Sequence, residues 1–241
     1  MRHDNPADRL LAILEEGMRY KRDTNCRNVW QALLGVQDNN SLLLSRIGRL
    51  MELPGEIISS LKECYPEQGN TWSHWESQVN TAFMQQNLNG QWQGFIGQID
   101  DQSINTLRLT SSLLELKSKI KNIPEEDLDK FKSTLLDLMD QVLQSDIDFE
   151  LKKYLVRSIR RLINSIEEYK LTGAVAICDA IESTVGHAWL SPAFGEFLKT
   201  TDLGKKFAST LSVMADAITV ATPLIPAIAN FVSGLLESVA K

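Results

Sequence analysis

Side chains that do chemistry are scarce in this sequence. It holds only three cysteines and three histidines among 241 residues. Cys26, Cys64 and Cys178 are far apart and odd in number, which is poor material for a disulfide framework and points to a reducing compartment. His3, His74 and His187 stand alone, and neither Cys-x-x-Cys nor His-Glu-x-x-His occurs, so the common zinc arrangements are excluded. The acidic run Asp146, Asp148, Glu150 has the opening spacing of a calcium loop. Leu151 stands where that loop needs glycine and the closing Glu is missing, so the run reads as a solvated helix start. No metal and no cofactor is expected.

Excess positive charge is missing too. With 25 basic against 31 acidic residues the formal charge is -6, which disfavours non-specific binding to nucleic acid or to an anionic membrane surface. A secretory signal is also lacking. After Met1 the run Arg2-His3-Asp4-Asn5 leads into a helix carrying Asp8, Arg9, Glu15 and Glu16, with no apolar stretch and no small-residue cleavage site. A cytoplasmic protein is expected.

Nucleophilic and phosphate-binding motifs fail on spacing. Cys178 and His187 are nine residues apart on one expected helix, over ~13 Å along its axis. Gly90, Gly94 and Gly97 lack the strand-to-helix context and the lysine of a phosphate loop. Of the paired carboxylates, Glu15 with Glu16, Asp100 with Asp101 and Asp137 with Asp140, only the last share a helix face, and that face is opposite the apolar stripe. No catalytic residue is nominated, and a non-enzymatic protein is expected. An enzyme whose site is assembled from distant residues stays open beside it.

Helix punctuation is what the sequence does contain. Asn5-Pro6, Thr24, Asn40-Ser41 and Pro54 each precede a short apolar-periodic segment, and Gly17 and Gly35 close two of them. Four short helices over 1–65 are expected to form a bundle. Residues 66–102 are rich in Gln, Asn and Gly and hold Trp72, Trp75 and Trp92, so they read as a connecting region with one helix near 72–88. These tryptophans could stack on bases or sugars, but no Arg or Lys is interleaved, which weakens a nucleic-acid role; Trp30 reads as core.

Residues 103–241 read as a long-helix bundle. One helix is expected from Ser103 to Lys121. A second begins at Pro124 with the stripe Leu128, Phe131, Leu135, Leu138 and Val142. A third runs from Asp148 to Lys170 with Leu151, Leu155, Ile159, Leu162 and Ile166. A softer helix covers 173–188. Strict two-residue alternation never persists, so the expected fold is all-α: a multi-helix bundle with long antiparallel helices in the middle and an apolar C-terminal helical hairpin over 207–240.

Between Phe207 and Leu236 Asp216 is the single charge, and Pro223 and Pro226 divide the stretch. Leu211, Met214 and Ile218 on the first half, and Leu224, Ile228, Phe231 and Leu235 on the second, form wide apolar stripes. The first half would span roughly 24 Å, short of a hydrocarbon core of ~30 Å, and Asp216 opposes insertion about as strongly as the apolar residues favour it. Three readings follow: a hairpin buried among the other helices, a face covered by a protein partner or a second copy, and conditional membrane insertion through 207–236.

One basic ridge stands out. Lys153, Arg157, Arg160 and Arg161 follow three- and four-residue spacing on the third long helix, opposite Leu155, Ile159 and Ile166. It suits an acidic partner or a phosphate group. The plainer reading pairs it with Glu125, Glu126, Asp129, Asp137 and Asp140 of the helix before it. The functional expectation is a helical protein-interaction module acting through the apolar C-terminal face. The alternative is a membrane-perturbing effector, of the bacterial toxin or anti-phage type, that releases its C-terminal hairpin on activation.

Overall fold

The computed structural model describes residues 4–118 and 120–218, and among them it shows eleven α-helices and no strand. The chain is all-α. Among the described residues no helix is long and apolar enough to cross a membrane. Contacts divide the chain into two compact units that part between Ser118 and Lys119.

The unit before that boundary contains α1 (Pro6–Gly17), α2 (Cys26–Leu33), α3 (Asn40–Cys64), α4 (Ser73–Gln85), α5 (Gln93–Ile96) and α6 (Asp101–Glu115). The cap at Asn5 is the expected one, whereas the next two fall at Asn25 and Asn39, one residue after Thr24 and one before Asn40. Asn5 accepts from Asp8 N at 2.9 Å, Asn39 from Leu42 N at 3.0 Å and Asp100 from Ser103 N at 2.7 Å, each filling one of the donors a helix start leaves open. One expected boundary is absent. Pro54 sits inside α3 and does not begin a new helix. An internal proline costs about 3 kcal/mol, but Leu50, Leu53, Ile57, Ile58 and Leu61 carry a continuous buried stripe past it. At roughly 1.5–3 kcal/mol per buried side chain, that stripe outweighs the lost hydrogen bond.

The Gln/Asn-rich stretch 66–102 belongs to this unit, and its tryptophans are core. Trp72, Trp75 and Trp92 are all buried. Trp30, Phe83, Trp92 and Phe95 make one aromatic cluster with centroid separations of 4.8–6.2 Å. Trp30 Nε1 donates to Gln86 Oε1 at 2.7 Å, and Trp92 Nε1 to Gly17 O at 2.9 Å. Backbone bonds from Cys26 N to Gly90 O, Arg27 N to Leu88 O and Trp92 N to Thr24 O pin the turn onto the start of α2. With their faces covered, these rings are unavailable for stacking on a base or sugar.

The second unit contains α7 (Glu125–Gln144), α8 (Phe149–Glu167), α9 (Tyr169–Leu190), α10 (Pro192–Thr200) and α11 (Asp202–Ile218). Four of them close a ring: α7 packs on α8, α8 on α9, α9 on α11 and α11 on α7, with α10 joined to both α9 and α11. Leu135, Leu138, Leu155, Ile159, Leu162, Ile177, Phe207 and Met214 fill the space between them. Gly173 breaks α9 near its start, with φ 66°, a left-handed value that glycine adopts without a Cβ clash. The α10–α11 corner is tight: a Cβ at Gly204 would stand 2.7 Å from the Phe197 carbonyl carbon and 2.8 Å from Leu198 Cα.

Candidate functional site

An open groove of about 1030 Å³ runs along α8, between it and the end of α9 and the start of α10. Its long wall is built by helical periodicity. Lys153, Arg157, Arg160, Arg161 and Asn164 recur every three or four residues, so they share the face of α8 opposite buried Leu155, Ile159 and Leu162. Between Leu151 and Ile166 the chain carries five cations and no carboxylate, in a protein whose formal charge is -6.

The floor of the groove is aromatic. The rings of Tyr154 and His187 are stacked at 3.6 Å between centroids, and Phe194 meets them at 5.0 and 5.5 Å. The Arg157 guanidinium lies over the Tyr154 ring, 5.3 Å from its centroid. Burial, and then the positive charge of Arg157, hold the His187 imidazole below its ordinary range, so this ring favours the neutral form. Leu143, Phe149, Val156 and Ala193 add apolar wall. Asp148 and Glu150 stand at the α8 start; Asp148 caps that helix by accepting from Leu151 N at 3.1 Å.

The basic side chains differ in how they are engaged. Lys152 donates to Ser145 O at 2.5 Å and Leu143 O at 3.3 Å, closing the carbonyl end of α7. Lys153 meets Glu150 at 3.6 Å, and both are well exposed. Arg161 donates to the Ser183 hydroxyl. Among the described residues Arg157, Arg160 and Arg161 make no ion pair, so three guanidinium charges face the groove without a carboxylate.

The expected pairing of this ridge with the acids of α7 is therefore not what the structure shows. The buried stripe of α7 (Phe131, Leu135, Leu138, Val142) is the side that meets its neighbours, which turns Asp129, Asp137 and Asp140 outward. Lys132 with Glu167, at 2.6 Å, joins the two helices instead.

The C-terminal stripe has a different fate. Leu211, Met214 and Ile218 are all buried in the core of the second unit, with relative exposures of 1%, 0% and 1%. In this conformation they are not a surface. Leu224, Ile228, Phe231 and Leu235, and with them the rest of the expected hairpin, lie outside the described residues.

Cys178 and His187 stay nine residues apart on the continuous part of α9, over ~13 Å along its axis. Among the described residues no group of three His, Cys, Asp or Glu side chains converges as a metal site would require. Tyr154 and Phe194 are groove residues that the sequence did not single out, and His187 stood out only as an isolated histidine and an unlinked partner for Cys178. Tyr154 carried a signal, one turn before Arg157 on the basic face; His187 and Phe194 are brought together only by the turn at Ser191-Pro192. No family model, curated protein or solved structure matches the chain.

Proposed function

We propose that this chain is a non-enzymatic helical interaction module that receives an acidic partner helix in the α8–α10 groove. The observation that carries the reading is the row of Arg157, Arg160 and Arg161, without a carboxylate partner among the described residues and flanked by apolar wall. Two physical points support a helix over a single phosphate. Lys153 and Arg161 are eight residues apart, ~12 Å along the axis, farther than one phosphate reaches. Leu143, Phe149 and Val156 offer apolar contact that an amphipathic helix uses and a free anion does not. Long helices running antiparallel and an apolar hairpin continuing from α11 complete the proposed architecture, and a cytoplasmic location fits it.

The test is binding of a labelled acidic amphipathic peptide to the whole protein and to Arg157→Glu/Arg160→Glu. Reversing two charges is expected to weaken binding at least about tenfold, with strong salt dependence. Equal affinity of the two proteins, or no binding by either, overturns the reading.

The expected alternatives keep the C-terminal stripe as the acting surface, toward a protein partner or a membrane. What supports them is the low charge of the segment, with Asp216 alone between Phe207 and Leu236. Since Leu211, Met214 and Ile218 are core, α11 must leave the bundle for these three residues to take part in either version. Leakage from anionic vesicles on addition of the protein tests the membrane version, and intact vesicles would count against it.

A further inference from the structure

We infer that the acidic helix received by the groove is α7 of a second copy of this chain. The inference rests on the groove reading above and names its partner.

The outer face of α7 has the chemistry the groove lacks. Asp129, Leu136, Asp137, Asp140 and Leu143 all lie exposed on one side of that helix, opposite buried Phe131, Leu135 and Leu138. Among the described residues Asp129, Asp137 and Asp140 make no ion pair or side-chain hydrogen bond, so their charges are as unanswered as those of Arg157 and Arg160. Leu136 and Leu143 are large apolar side chains at 47% and 52% exposure, set between the acids. An acidic, leucine-studded helix face and a basic, apolar-walled groove are complementary in charge and in polarity.

Spacing agrees with this. Asp129 to Asp137 is eight residues, as is Lys153 to Arg161, so each pair of charges is separated by ~12 Å along its helix. The two surfaces also adjoin, because Leu143 ends the outer stripe of α7 and lines the groove. A molecule carrying adjoining patches of opposite charge is self-complementary about a two-fold axis: each α7 meets the partner's α8, and both contacts form together. A nucleic acid fits less well, since Asp148 and Glu150 at the groove mouth repel phosphates.

The experiment is a charge swap read by sedimentation or light scattering on the full chain. Wild-type protein is expected to run as a dimer at low salt and to dissociate as salt rises. Arg157→Glu/Arg160→Glu and Asp137→Lys/Asp140→Lys, each shown to be helical by circular dichroism, should weaken self-association at least about tenfold. An equimolar mixture should restore the dimer, because the reversed α8 of one variant then meets the reversed α7 of the other. A monomeric wild type at low salt, or a mixture that stays monomeric, overturns the inference. If the wild type is monomeric yet still binds the acidic peptide, self-pairing falls while the groove reading stands. If neither occurs, both fall.

Discussion

Tyr154 of α8 and His187 of α9 lie ring on ring, 3.6 Å apart and tilted by only 19°, with the Arg157 guanidinium over the tyrosine ring at 5.3 Å. This layered arrangement ties two helices together at the floor of a cationic groove. It also places the imidazole of the groove beside a permanent positive charge.

The pH dependence follows from that placement. A proton on His187 is disfavoured first by burial and then by Arg157, so the folded-state pKa is below the ordinary 6.5. The unfolded chain then binds the proton more readily than the folded one. Stability is therefore full above 6.5, falls with acidification below it, and levels off once the folded ring is also protonated. NMR titration should place the His187 midpoint below 6.5, and Arg157→Gln should raise it without fully restoring it, because burial is the larger cause. A midpoint at or above 6.5 in the wild type would contradict this account.

Arg46 is buried at 6% exposure and donates to Leu34 O at 2.7 Å, at the carbonyl end of α2. Arg46→Ala removes that donor, strands the carbonyl and leaves a void. A loss of roughly 2–4 kcal/mol is expected in urea unfolding. A change within experimental scatter would show that water replaces the guanidinium at no cost.

Two glycines of the second unit should respond in opposite directions. Alanine at Gly204 would drive a methyl group into the Phe197–Leu198 backbone and force α10 and α11 apart, with an expected loss of roughly 1–3 kcal/mol or more. Gly186 lies on an exposed side of α9 with nothing within 4 Å of an added Cβ. Gly186→Ala should stabilise by roughly 0.5–1 kcal/mol through helix propensity. Thermal melts of the two variants separate tight packing from intrinsic preference.

Cys26 is fully buried, and desolvation pushes its thiol up to about 11. Cys64 and Cys178 are only partly buried. A thiol reagent applied to native protein should label Cys26 last, and at a rate set by opening of the first unit. Peptide mapping of the labelled sites over time gives the order, and early labelling at Cys26 would show that α2 opens readily.

Much of the fold was legible along the chain because helix signals are local. Asn5 caps where it is expected to cap, Asn39 and Asp100 cap just before the expected starts at Asn40-Ser41 and Ser103, and the stripes of α7 and α8 bury most of the residues that periodicity selects. Pro54 misled because a buried stripe on both sides of it overrode the local penalty. Trp72, Trp75 and Trp92 misled because their polar neighbours describe the surface of a turn, whereas all three side chains are buried and Trp92 packs on Trp30 and Phe95. The basic ridge was legible as a ridge. Its lack of carboxylate partners was not, since that depends on which way the acids of α7 face once Phe131, Leu135 and Leu138 are buried.

Sequence alone determined the helical class, the approximate helix starts and which face of each long helix turns inward, because these depend on contacts within one or two turns. Only the tertiary structure decided that Leu211, Met214 and Ile218 are core, that His187 and Phe194 join Tyr154, and that three arginines stand without carboxylates. The reason is physical. Whether an apolar stripe or a charge is satisfied depends on what other segments bring against it, and periodicity along one helix carries no record of its neighbours.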